Sequence, residues 1–294
     1  MGDTEPTERS VTSMWGDPES GTTFASTDAT GIWYADTGGA GEALVFLHGF
    51  SGSSAAAAHL AARTSEAGLR FIAPDLRGHG LSDKPTADGA YHIERFVDDV
   101  VALLDEIGIE RVHLVGHCMG GMVAAACAAA VPARVVTLAL VGTSLQPASD
   151  LRMAWLRRAP IPLIRSLARR LLPAETNAAR HVDYRAFRDT SDLYWPRLVA
   201  DYRALSGETA FAILERLDTL DLLETVGAIE APVLVVHGDG DSVFPPASAV
   251  RTTAALGDAR LLILPDDNHV SLVFRAESVL FEALLDFVGL SRPQ

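Results

Sequence analysis

Two rhythms of apolar and polar positions alternate along this chain. Short apolar runs bounded by glycine, proline or charge recur at Thr22–Ser26, Ile32–Asp36, Ala43–Leu47, Arg70–Pro74, Val112–Val115, Val135–Val141, Val233–His237 and Leu261–Leu264. Runs of this length predict strands, and their continuous apolar character predicts that both faces are covered. The first two, bounded by glycine, predict an antiparallel hairpin. Longer stretches with helical spacing follow most of the strands: Ala55–Ala67, Ile93–Ile107, Met119–Ala130, Pro246–Leu256 and Ala276–Val288. Strands alternating with helices predict an α/β fold with a mostly parallel sheet and right-handed crossovers. One interval breaks the rhythm. From about Leu145 to Gly227 no strand-like run occurs, and Pro160, Pro162, Pro173 and Pro196 cut the stretch into short helical pieces. It reads as a helical cap, 145–227, inserted into a core of 22–144 and 228–294, behind a polar, flexible tail of 1–21.

Composition narrows the picture. The chain has 294 residues, 48% hydrophobic and 21% charged, which suits a globular protein with one large core and an insertion. No run of 18 apolar residues is present, so no membrane span is expected. The first residues lack a basic n-region and an apolar h-region, which predicts a cytoplasmic protein. A net charge of −14 argues against nucleic acid and anionic membranes as partners. The average hides one basic stretch: between Leu151 and Arg188 there are nine arginines against two acids. That stretch reads either as a solvated helix face or as a docking surface for an acyl carrier protein or coenzyme A.

Only two cysteines occur, Cys118 and Cys127. Nine residues apart on one predicted helix, they would stand about 13 Å apart, too far for a disulfide. Cys127, inside an alanine run, reads as a small core residue. The cysteines and histidines show no zinc-ligand spacing, and there is neither a G-x-G-x-x-G after a strand nor a P-loop, so no metal or cofactor is expected.

Candidate chemistry collects where predicted strands end, as it does in open parallel sheets. Gly116-His117-Cys118-Met119-Gly120 stands between a predicted strand and an Ala-rich helix. This context predicts a nucleophile elbow, a tight turn that exposes its central side chain and needs glycine on both sides. A nucleophile of this kind needs a base, and the base needs a group to orient it. His269, just past the last strand, is the candidate base. Asp241, in Gly238-Asp239-Gly240-Asp241, is the candidate orienter, with Asp239 its rival. The backbone N–H groups of Phe50 and Met119 are the candidate oxyanion donors. His48 suits a structural role in the Phe50 turn or a place in the pocket. His117, beside the nucleophile, either lines the pocket or packs. Trp155, Tyr194 and Trp195 are candidates for an apolar acyl pocket or for the cap's own core. Asp75 and Arg77 suit ties between strand-end loops.

Together, His48-Gly49-Phe50, Asp75-x-Arg77-Gly78-x-Gly80-x-Ser82, Gly116-x-Cys118-x-Gly120, Gly238-x-x-Asp241 and the final His269 resemble the α/β-hydrolase superfamily, over residues from about 22 to 290. The resemblance implies an eight-stranded sheet, a lid after the sixth strand, and a Cys118–His269–Asp241 triad. Cysteine replaces the usual serine. Dienelactone hydrolases and polyhydroxyalkanoate synthases in the superfamily also use cysteine, but the first lack a lid of this length and the second are longer chains. The implied activity is hydrolysis of a small ester, lactone or thioester through an S-acyl-cysteine. The thiol also suits an acyltransferase or cyclase of secondary metabolism, and some members of this fold are non-catalytic binding proteins.

Overall fold

In the computed structural model, residues 21–146, 181–182, 184–187, 190–205, 207–274 and 279–289 are described. Eight strands form one sheet: β1 (Thr22–Ala25), β2 (Gly31–Asp36), β3 (Ala43–Leu47), β4 (Arg70–Pro74), β5 (Val112–His117), β6 (Val135–Val141), β7 (Val233–Gly238) and β8 (Ala259–Leu264). Their spatial order is β1-β2-β4-β3-β5-β6-β7-β8. β1 pairs antiparallel with β2 and β2 antiparallel with β4, and every later pairing is parallel. This confirms the expected N-terminal hairpin and places it at one edge of a parallel sheet.

Strand β3 shows why the central runs are apolar throughout, since all five of its residues are buried. Val45 and Leu47 join the core on one face, and Leu44 and Phe46 join the core on the other. Helices α1 (Ala58–Glu66), α2 (Ile93–Glu106), α3 (Met119–Ala130), α6 (Pro246–Ala255), α7 (Ser271–Phe274) and α8 (Val279–Phe287) flank the sheet. In α2 the buried Phe96, Val100, Leu103 and Leu104 fall at helical spacing. α3 has no polar face, because ten of its twelve residues are buried. Its alanines and glycines let it approach the sheet closely. The start of the first predicted helix is a 3-10 turn, Ser54–Ala57, rather than part of α1.

Between β6 and β7 the described residues form α4 (Trp195–Leu205) and α5 (Gly207–Leu217) and contain no strand. The tail up to residue 20, Trp155 and the side chains of the nine arginines lie outside the described residues. Among the described residues no helix is long and apolar enough to cross a membrane.

Candidate active site

The turn after β5 is built around one strained residue. Cys118 has φ 53° and ψ −119°, a conformation that costs a side-chain-bearing residue about 1–3 kcal/mol. Hydrogen bonds on both sides of the residue hold it there. Its N–H donates to Val141 O at 3.0 Å, and its carbonyl accepts the Gly121 N–H at 3.0 Å and the Thr143 hydroxyl at 2.6 Å. The flanking glycines are steric requirements. A Cβ on Gly116 would lie 2.3 Å from Gly120 O, and one on Gly120 would lie 2.1 Å from Leu47 O. The side chain of Cys118 remains partly accessible.

His269, from the loop after β8, and Asp241, from the loop after β7, converge on this thiol. His269 Nδ1 donates to Asp241 Oδ2 at 2.8 Å, and the imidazole shares a hydrogen bond with the Cys118 side chain. Asp241 Oδ1 accepts the N–H groups of Val243 and Phe244, each at 2.8 Å. Gly142 stands beside them with φ +52°, where a Cβ would press on Leu272 Cδ1 at 3.1 Å and only touch His269 Nδ1 and Asp241 Oδ2. Burial opposes a charged imidazole, but the Cys118 and Asp241 side chains outweigh it and lift His269 to about 10. Burial alone would raise the Asp241 carboxyl, yet the hydrogen bond from His269 and its charge hold it below the usual range.

The remaining candidates separate into several groups. Asp239 accepts the Asp266 N–H in a turn and plays no part in the His269 pair. Phe50 stands in the loop after β3, where a Cβ on Gly49 would come within 3.0 Å of the Cys118 Cβ. Met119 opens α3, where the first N–H groups of a helix have no partner within it. His48 is a correction to its candidacy for the pocket. It is wholly buried, its Nδ1 donates to Gly49 O at 2.8 Å and its Nε2 accepts the Leu76 N–H at 2.9 Å. Both nitrogens are committed to backbone, so it shapes the Phe50 loop from behind. His117 donates from Nε2 to His269 O at 3.1 Å, and burial with the nearby His269 charge lowers it to about 3. It braces the histidine loop as a neutral ring.

A cavity of about 260 Å³ adjoins the Phe50 loop, with Phe50, Ser51, Trp195, Leu198, Val199 and Leu205 in its wall. Trp195 therefore lines a cavity while remaining 71% exposed, whereas Tyr194 packs against Phe187 with ring centroids 6.1 Å apart. Asp75 and Arg77 are loop ties, as expected. Asp75 accepts the N–H groups of Ser54 and Leu81 and pairs with His181 at 2.8 Å. Arg77 pairs with Asp99 and Asp28 and donates to Ala90 O. Two supporting residues were not read as such from sequence: Thr143, which bonds the elbow and has no motif around it, and His237, which heads the Asp241 stretch and whose Nε2 donates to Phe244 O at 3.0 Å.

Sheet order, elbow and loop placement define the class to which this chain belongs. A sequence model of the alpha/beta hydrolase fold family matches residues 42–276. A protein of Variovorax paradoxus named "Putative carbamate hydrolase RutD" is 34% identical over 258 residues, 85% of this chain and 92% of that one. The 2-hydroxymuconate semialdehyde hydrolase of Pseudomonas putida is 30% identical over 220 residues, 71% of this chain and 73% of that one. Among solved structures, the enol-lactonase of Burkholderia xenovorans LB400 is similar at a TM-score of 0.71 and 27% identity, covering 91% of this chain and all of that one. The chain belongs to the alpha/beta hydrolase fold family.

Proposed function

We propose that this protein hydrolyses a small ester, lactone or thioester through an S-acyl-cysteine on Cys118. The observation that carries the reading is the hydrogen-bonded line from Asp241 through His269 to the thiol on the elbow. The names of the carbamate-hydrolase relative and the enol-lactonase support acyl chemistry of this kind.

His269 Nε2 takes the thiol proton as Cys118 Sγ attacks the acyl carbonyl carbon, forming the S–C bond while the C=O π pair moves to oxygen. The oxygen that gains charge is received by the N–H groups of Phe50 and Met119, the second reinforced by the start of α3. Collapse breaks the bond to the leaving alkoxide or thiolate, which takes a proton from His269 Nε2. His269 then removes a proton from water, which attacks the thioester; the C–S bond breaks, a carboxylic acid is released, and the Cys118 thiolate takes back the proton from His269. Asp241 fixes the Nδ1–H tautomer and stabilises the imidazolium. The apolar cavity beside Phe50 suits the acyl chain.

Incubation with a panel of acyl thioesters, lactones and aryl esters, followed by intact-mass measurement, should show an acyl adduct on Cys118. Cys118→Ala should abolish both the adduct and turnover, and full turnover by that variant would sink the reading. Asp241→Asn should lower kcat by roughly 10⁴-fold through the wrong tautomer.

The thioester intermediate also favours a second reading, transfer to a thiol or amine acceptor, because sulfur esters yield to these more readily than to water. An acyltransferase or cyclase would partition its acyl group toward an added acceptor at unchanged total turnover. If a carrier protein or coenzyme A supplies the acyl group, charge reversal at Arg157, Arg158, Arg169 and Arg170 should raise KM for that donor selectively.

A further inference from the structure

Asp192 lies between β6 and β7, remote in sequence from the site, and is 4% exposed. Its Oδ2 accepts both the N–H and the hydroxyl of Ser242, at 2.9 and 2.8 Å. Its Oδ1 accepts the N–H of Val270 at 3.1 Å, a donor it shares with Asn268 Oδ1 at 3.0 Å. Ser242 directly follows Asp241, and Val270 directly follows His269. One buried carboxylate therefore grips the acid loop and the base loop together. The histidine loop is tied to the same segment a second time, since Asn268 Nδ2 donates to Thr190 O at 3.2 Å.

The bonds continue away from Asp192. Arg197 Nη2 donates to Asp192 O at 2.5 Å, and Arg197 Nη1 donates to Asp201 Oδ2 at 3.1 Å. The same Asp201 oxygen accepts the Ser51 hydroxyl at 3.4 Å. Ser51 directly follows Phe50. A polar chain through α4 thus touches the residue that follows each of Phe50, Asp241 and His269.

We propose that Asp192 is a positioning residue for the Cys118–His269–Asp241 site, setting the separation of the acid and base loops and coupling both to α4 and the Phe50 loop. The proposal rests on the reading of those three residues given above. Loops are the mobile parts of a scaffold, whereas catalytic groups must be held to about 0.5 Å. A carboxylate suits the task because it accepts several donors at once, and bonds to an ionised acceptor are roughly twice as strong as neutral ones. The amide of asparagine offers one acceptor oxygen, so Asp192→Asn can bridge to the Ser242 loop or to the Val270 N–H but not to both, and Val270 is then left with its local bond to Asn268 Oδ1.

The test uses the full chain carrying Asp192→Asn, Asp192→Ala or Ser242→Ala. Three measurements are taken: kcat and KM on an aryl ester, the NMR titration of His269, and the melting temperature. Asp192→Asn should lower kcat by about 10- to 100-fold at nearly constant KM, the loss expected for misplacement approaching 1 Å. It should also displace the His269 titration, a change that a purely structural defect far from the site would not produce. Ser242→Ala should have a smaller effect, because the Ser242 N–H still donates. If Asp192→Ala does not fold, the other two variants carry the test. A wild-type His269 titration with wild-type kcat in Asp192→Asn overturns the proposal, as does a rise in KM alone. Failure of wild-type Cys118 to form any acyl adduct would instead overturn the nucleophile reading, and the His269 titration would still decide the role of Asp192.

Discussion

Cys118 carries the backbone strain of the candidate site in one residue. Its left-handed conformation persists because the backbone around it is fixed on every side, by Val141 O, by Thr143 and by two glycines with no room for a Cβ. The group that Gly120→Ala would strike is the backbone carbonyl of Leu47, the last residue of the central strand β3, which is held by pairing with β5. That substitution should destabilise the protein by about 3 kcal/mol or more, read as a fall in the urea midpoint. The thiol also acts on its partner. Burial works against the imidazolium of His269, and Cys118 is the first of the groups that lift it to about 10. Cys118→Ala removes that contribution and leaves Asp241 in place. The NMR titration of His269 should therefore move to lower pH in that variant. An unmoved midpoint would show that sulfur and imidazole are not electrostatically coupled.

At the level of elements, the strands were legible because burial on both faces writes an uninterrupted apolar run, and β3, β4 and β6 have the bounds read from sequence alone. The convergence of Cys118, Asp241 and His269 was legible too, since each follows a strand and sits in a short motif. What ties the elements together was less so. Asp192 stands alone in Ser191-Asp192-Leu193, and its partners are 50 and 78 residues away, a separation that no local pattern encodes. His48 was ambiguous because a histidine in a turn looks the same in sequence whether it faces a cavity or the backbone. Arg77 is the instructive intermediate case. Its motif suggested a tie, and the structure supplies the partners: Asp99 on α2 and Asp28 in the β1–β2 turn, around a guanidinium that is fully buried. Burial already raises the Asp99 carboxyl despite the arginine beside it. Arg77→Ala would leave that carboxyl without its cation, and should cost about 3–5 kcal/mol in denaturant unfolding.

For the molecule as a whole, the buried histidines set how stability responds to pH. His79 is 1% exposed and is pushed down to about 3, chiefly by burial and then by the neighbouring His48. In the unfolded chain it takes up a proton near its ordinary value of about 6.5. Its share of stability is therefore complete above 6.5 and is lost as pH falls from there toward 3, at about 1.4 kcal/mol per pH unit. Asp75 joins at lower pH. Burial would raise it, but His181 and the Leu81 N–H hold it at about 2, so its contribution is lost as pH falls from its ordinary 3.8 through 2. His269 runs the other way: with a folded value of about 10, its contribution is complete below 6.5 and is lost as pH rises toward 10. Acidification also relieves the repulsion of a −14 chain as it nears a pI of about 5.0. That relief is spread over solvent-exposed charges and screened within about 10 Å at 0.1 M salt, so the buried groups dominate. Urea unfolding measured across pH should then give greatest stability near pH 6.5, falling on both sides rather than rising toward the pI. His79→Gln should flatten the acid limb between 6.5 and 3, and an acid limb as steep as wild type in that variant would remove His79 from the account.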